Sequence, residues 1–169
     1  MFVYSHAVVG AALGALVRNT KSAMLWGAGG GVLPDVPMGV QIGITLLSGH
    51  SPWHIKWSSA TVTISDALHS LPLCSLLLVC GWSRPQFRAL ALGLVSHSLM
   101  DAMTHTVTPD FKASYMWPLK WQLGSLIGIW EYRRAKDALV PKLPEVILDV
   151  AAGAVVAVKV RQRQKGVVR

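Results

Sequence analysis

His97 and Asp101 stand four residues apart in Gly93-Leu-Val-Ser-His97-Ser-Leu-Met-Asp101, a run with no other charge. On a helix the two side chains lie one turn apart on the same face, where they can grip one metal ion or share one proton. A carboxylate in apolar surroundings is costly unless something neutralises it, so Asp101 needs a partner.

His6, Asp35, Asp66 and His69 likewise interrupt apolar stretches. Their depths can be counted from the polar turns at residues 18–22 and 84–85, taken to lie on one side. At a rise of about 1.5 Å per residue, His6 and His97 lie roughly 18 Å deep, Asp35 roughly 20 Å, His69 roughly 22 Å and Asp101 roughly 24 Å. They share one layer. Asp66 falls at about 27 Å, at the edge of that layer and one helical turn from His69. Nitrogen and carboxylate donors converging from several helices are the way a bundle builds a metal centre. The expected ligands are His6, Asp35, His69, His97 and Asp101, a donor set that suits zinc, with manganese as the alternative. Any one of these histidines alone is better read as bonded to a backbone carbonyl between helices. Carboxylates at a common depth are what favour the metal.

The elements that position these groups read as helices. A first spans about Val3 to Val17, with Gly10 and Gly14 at close-packing spacing. A second begins near Ser22, and Gly29-Gly-Gly31 with Pro34 and Pro37 predicts a break before the apolar stretch Gly39 to Leu47. A third runs from about Ser58 to Trp82. The short turn Ser83-Arg84-Pro85 then leads into a fourth, antiparallel helix that continues to about Thr106, with proline at a favoured first-turn position. Residues 108–122 read as loop, Leu123 to Trp130 is too short to cross a bilayer, and Leu143 to Val158 is a last apolar helix.

Composition says where such helices sit. Of 169 residues, 52% are apolar and 14% charged, against an ordinary charged share of about 25%. No Lys or Arg falls between Lys21 and Lys56, between Lys56 and Arg84, or between Arg88 and Lys112. Each window can hold the roughly 20 residues of a membrane helix. The predicted fold is all-α, a polytopic membrane bundle of about four to five hydrophobic helices. Residues 1–158 form its single domain and residues 159–169 a basic tail. The start lacks a basic n-region, so the first segment is expected to stay in the mature protein.

The net charge of +8 comes largely from helix ends and from Lys159-Val-Arg161-Gln-Arg163-Gln-Lys165. A basic tail after an apolar run suits anionic lipid on the cytoplasmic side. No nucleic-acid module precedes it and no aromatics are interleaved with it, so nucleic acid is not the expected partner. Basic residues fall on both predicted sides, at Arg18, Lys21, Arg84 and Arg88 and at Lys112, Lys120, Arg133 and Arg134, which leaves orientation open. Cys74 and Cys80, six apart, would face different sides of a helix and are not expected to pair. His50 and His54 read as surface loop residues. His105 and Asp110 flank the end of the fourth helix, where a helix-end or loop-ordering role competes evenly with substrate contact, and Trp117 and Trp121 form an aromatic belt with Lys120 reaching for headgroups. There is no Gly-x-Ser-x-Gly elbow or Walker loop.

Several of these pieces, in order, resemble the membrane-bound metal-dependent hydrolases of the YdjM type, found in bacterial inner membranes. The matching pieces are His6, Leu33-Pro34-Asp35, His69-Ser70, and Gly93 to Asp101 continuing to Trp117-Pro118-Leu-Lys-Trp121, over roughly residues 1 to 125. The resemblance implies a multi-pass membrane protein with metal ligands at the five positions above, and hydrolase chemistry. The His-x-x-x-Asp helix is also similar to one in zinc-dependent phospholipase C, which points to a phosphoester or lipid-like substrate. The chain departs from the family pattern at Pro37, where a second acidic residue is usual. It departs again at Ile64-Ser65-Asp66-Ala67-Leu68, where His-Arg-Gly usually precedes the Thr-His-Ser.

The functional expectation is a metal hydrolase in which the ion activates water, with Asp66 as general base or as replacement ligand. The rival is a non-catalytic membrane protein with a structural metal or polar network and a lipid- or partner-binding tail. A small transporter using Asp35 and Asp101 is a third reading.

Overall fold

A computed structural model describes residues 3–51, 55–104, 115–119 and 143–166, and every regular element among them is helical. The helices are α1 (Val3–Val17), α2 (Lys21–Val32), α3 (Val36–Leu47), α4 (Ser59–His69), α5 (Leu71–Cys80), α6 (Pro85–Thr104) and α7 (Leu143–Gly166). Their starts follow local chemistry. Thr20, Ser58 and Ser70 cap α2, α4 and α5 by accepting the backbone N–H three residues on, at 3.2, 3.0 and 3.2 Å, which satisfies a donor the helix cannot. Pro85 opens α6 where no N–H is needed. Glu145 lies in the first turn of α7 and Arg163 and Lys165 in its last, each favoured by the helix dipole.

Glycine decides how α1, α2 and α6 meet. A Cβ on Gly10 would lie 2.2 Å from the Gly27 carbonyl oxygen, one on Gly31 would lie 2.1 Å from that of His6, and one on Gly93 would lie 2.3 Å from that of Gly27. These backbones touch because no side chain stands between them, as in small-residue membrane packing. The glycine run of α2 therefore serves as a packing seam, and the predicted break is reduced to one 3₁₀ turn, Leu33–Asp35. Lys21–Leu47 continues as a single path of 27 residues.

A break occurs instead in the third segment. α4 and α5 meet at Ser70 with a bend of 57°. Pro72 has no N–H to offer the ladder, and the Leu71 N–H leaves it to reach the Tyr115 carbonyl at 2.8 Å. The Ser70 hydroxyl also donates to the Trp117 carbonyl. The bend thus receives residues 115–119 as a plug. At the far end of the chain, residues 159–166 of the expected tail are the last turns of α7.

Two contacts orient the bundle. Trp26 of α2 stacks on Phe87 of α6 with ring centroids 6.0 Å apart, so the turns before these two helices lie at the same end, as the depth count assumed. Ser5 bonds Glu145 and Asp149 at the start of α7, whereas Leu16 shares a groove with Val158 and Lys159. α7 therefore runs parallel to α1, and its basic end joins Arg18.

Among the described residues, Lys21–Leu47 is the one helix long and apolar enough to cross a membrane. The bent α4–α5 pair passes the same test when taken as one span. Only 17% of the apolar window in Lys21–Leu47 is buried within the protein, unlike the core helix of a soluble domain, and Leu47, Val79 and Val150 are among many exposed apolar side chains. His54, His105, Asp110, Lys112, Lys120, Trp121, Arg133, Arg134 and the segment Leu123 to Trp130 lie outside the described residues. His50 is exposed.

Candidate metal centre

Each donor reaches the centre for a local reason. Asp35 ends the 3₁₀ turn that joins α2 to α3, and His69 ends α4 at the bend. His97 and Asp101 share one face of α6, and His6 comes from the first turns of α1. The histidines are almost wholly buried, as is Asp101.

The ring nitrogens are assigned by their neighbours. Nδ1 of His97 lies 2.7 Å from the Gly31 carbonyl, and Nδ1 of His69 lies 2.8 Å from the Ser65 carbonyl. A carbonyl can only accept, so each Nδ1 is the donor and each neutral ring keeps its lone pair on Nε2. Those two Nε2 atoms are 3.0 Å apart. Asp101 Oδ2 lies 3.2 Å from the His97 Nε2 and 3.5 Å from that of His69. Asp35 Oδ1 lies 3.7 and 4.0 Å from the same two atoms.

With both rings neutral, electron-rich atoms thus converge on one point. Asp35, His69, His97 and Asp101 each offer one atom, all within 4.8 Å of one another, and lie close enough to hold a metal ion. The fit is good. Ligands about 2.0–2.1 Å from a tetrahedral ion sit about 3.3 Å from one another, close to the 3.0 to 4.0 Å that separates the two His Nε2 atoms from each other and from the carboxylate oxygens, within an outer limit of 4.8 Å for the whole set. Two carboxylates supply the negative charge a divalent cation needs. The carbonyls behind His69 and His97 supply the outer-shell bonds that fix ligand orientation.

His6 joins this set through Asp101. Its Nε2 lies 3.1 Å from Asp101 Oδ1, the oxygen turned away from His69 and His97, and its ring stacks on His97 at 3.8 Å. It is therefore placed to hold the carboxylate's second oxygen. Asp66 is half-buried on α4, one turn before His69, and is not among the mutually close donors.

Two participants were not selected from the sequence. Ser65 lies one turn before His69, a spacing from which its carbonyl bond could have been read. Tyr115 gave no such signal. It is 3% exposed, and its ring lies edge-on to His69 at 6.3 Å. Burial first, and then the nearby Asp101 and Asp35 charges, push its phenol pKa well up, so it remains a hydroxyl donor. The only part of the centre with substantial exposure is Asp35, whose side chain is 28% accessible against 8% for Asp101. Among the described residues of the centre, Asp35 is thus the ligand nearest to solvent.

No family model, curated protein or solved structure matches this chain.

Proposed function

We propose that the chain is a multi-pass membrane protein of bacterial inner-membrane type that hydrolyses a phosphoester or lipid-like ester at a divalent metal centre, zinc being the first choice. The observation that carries the metal is the pair of His Nε2 atoms facing each other at 3.0 Å with both Nδ1 atoms committed to carbonyls. Membrane residence is supported by the exposed apolar length of Lys21–Leu47 and by glycine-to-glycine contact between α1, α2 and α6. The α4–α5 pair would be a second, broken span. α1, α6 and α7 would complete the bundle.

A divalent ion here supplies Lewis acidity at an ester oxygen and activates water at neutral pH. His69, His97, Asp35 and Asp101 would hold it, and His6, 3.1 Å from Asp101 Oδ1, would keep Asp101 turned toward it. Asp35 stands at the entrance, where an ester group would arrive. Asp66 is the candidate general base, placed one turn from His69. The hydrolase class comes from the resemblance to the YdjM-type family. Pro37 and the segment around Asp66 mark where its substrate contacts would differ.

Elemental analysis of purified protein tests the centre. The wild type is expected to carry about one divalent ion per chain, and the His97→Ala, Asp101→Ala variant almost none. Equal, near-zero metal in both would remove the site. Hydrolysis of phosphoester and acyl-ester panels by the metal-loaded protein, lost in Asp66→Asn, tests the enzyme. Burial of His6, His69 and His97 to 1% exposure or less favours a second reading, a structural metal that locks the helices. Bound metal with no turnover across both panels would select it.

A further inference from the structure

The turn between α5 and α6 carries a feature the metal centre does not use. Arg84 and Arg88 are four residues apart and share one face of the helix start. Their guanidinium groups lie over aromatic rings, Arg84 above Phe87 at 5.8 Å and Arg88 above Trp82 at 5.1 Å. Among the described residues neither has a carboxylate partner, and the buried Nε of Arg88 has no hydrogen-bond acceptor. Beside them opens a cavity of about 440 Å³, lined by Leu77, Phe87, Leu90 and Leu94, with Arg84 on its wall. That is a cationic mouth on an apolar trough, of a size that ordinary ligand sites have.

The surroundings have the same sign. The Trp26–Phe87 stack brings Arg18 and Lys21 to this end, and the parallel course of α7 brings Lys159 with the basic residues after it. The turns at residues 18–21 and 81–88 and the stretch 154–166 contain no Asp or Glu. Arg84 to Leu94 spans roughly 15 Å along α6, so a ligand's charged group at the mouth would send an apolar chain toward mid-bundle. The metal centre lies deeper, because His97 follows Arg84 by roughly 20 Å of helix. A phosphate at the mouth is therefore remote from the centre.

We propose that this site binds an anionic phospholipid, with its phosphate on Arg84 and Arg88 and one acyl chain along the α5–α6 groove. The proposal rests on the membrane reading above. It adds a resident lipid that is distinct from any substrate of the metal centre. Guanidinium suits a phosphate better than an ammonium would, because its planar fork bonds two oxygens at once.

Native mass spectrometry of the full chain, released from nanodiscs of phosphatidylglycerol and phosphatidylcholine, is the test. The wild type is expected to retain one phosphatidylglycerol in preference to phosphatidylcholine. Retention should fall roughly tenfold in Arg84→Gln, Arg88→Gln, the loss of about 1.4 kcal/mol of charge-assisted bonding. It should fall as well in Leu90→Trp, which fills the groove and keeps the charges. Arg84→Gln alone, at an exposed position, keeps the test open if the double variant does not fold. Unchanged retention in every variant overturns the site. Inorganic phosphate that competes fully, with Leu90→Trp behaving as wild type, overturns the lipid in favour of a free anion. Alkaline carbonate extraction is read alongside: release from membranes would defeat the membrane reading itself, whereas a membrane-retained protein without selective lipid defeats only this proposal.

Discussion

His69 and His97 present their Nε2 atoms to one another at 3.0 Å while backbone carbonyls hold the opposite nitrogen of each ring. Two lone pairs at that distance repel, and the carboxylates of Asp35 and Asp101 add negative charge at the same point. A divalent cation in the middle would relieve both, which makes metal loading a determinant of stability on the reading proposed above. Chelation of the purified protein is expected to lower the melting temperature by on the order of 10 °C, as for a ligand bound at about a thousand times its dissociation constant. X-ray absorption at the metal edge should show nitrogen and oxygen neighbours at about 2.0–2.1 Å. A spectrum with sulfur neighbours, or a melting point indifferent to chelation, would count against the centre.

Close backbone contact makes the helix core intolerant of single methyl groups at defined positions. Gly93→Ala would place a Cβ 2.3 Å from the Gly27 carbonyl oxygen, and backbone cannot yield as a flexible side chain can. We expect a loss of about 1–3 kcal/mol or more in detergent-solubilised stability, the usual cost of overpacking. Gly39, in α3, has nothing within 4 Å of its would-be Cβ, and Gly39→Ala should gain about 0.5–1 kcal/mol from helix propensity. Equal responses to the two substitutions, measured by thermal denaturation, would refute the seam.

Much of the centre was legible because helices convert spacing into direction. His97 and Asp101 at four residues must share a face, and the depth count worked because both turns do lie at one end, held there by Trp26 and Phe87. What could not be read was tertiary. The glycine run of α2 looks like a break in isolation and becomes a seam only once Gly93 and Gly10 are opposite it. Ser70 looks like one more residue in an apolar helix until the Tyr115 carbonyl takes the next N–H, a contact spanning more of the chain than any local pattern covers. His6 was placed at the right depth, but only geometry shows that it meets the other donors through Asp101.

Among the described residues Arg18, Lys21, Arg84, Arg88 and Lys159 gather at one end of the bundle. On the membrane reading proposed above, this cluster favours the cytoplasmic side, so the α5–α6 turn is expected to face the cytoplasm and the end of α3 the opposite side. Cys80 is a native reporter, exposed at that turn, while Cys74 is buried. A membrane-impermeant maleimide should label Cys80 in inverted vesicles and spare it in intact cells. Ser48→Cys in a Cys80→Ser background should give the reverse pattern. Identical labelling of both positions from one side would contradict the assignment.

Tyr115 lies buried and edge-on to His69, and the way it is held shows how to free it. The Leu71 N–H and the Ser70 hydroxyl reach the carbonyls of Tyr115 and Trp117, so residues 115–119 are tied to the bend by its own unsatisfied donors. Ser70→Ala removes the tie to Trp117 and also the cap of α5, which together should cost about 1–3 kcal/mol. Tyr115→Ala removes the ring edge-on to His69 and leaves a cavity worth about 3–5 kcal/mol by comparison with other aromatic truncations. Tyr115→Phe keeps the ring and loses only the hydroxyl. If the ring shields the ion from water, transfer of zinc to a chromogenic chelator should be faster in Ser70→Ala and Tyr115→Ala and near the wild-type rate in Tyr115→Phe. Release as slow in Tyr115→Ala as in the wild type would mean that the exchange route runs entirely past Asp35, the one well-exposed ligand, and that Tyr115 serves packing alone.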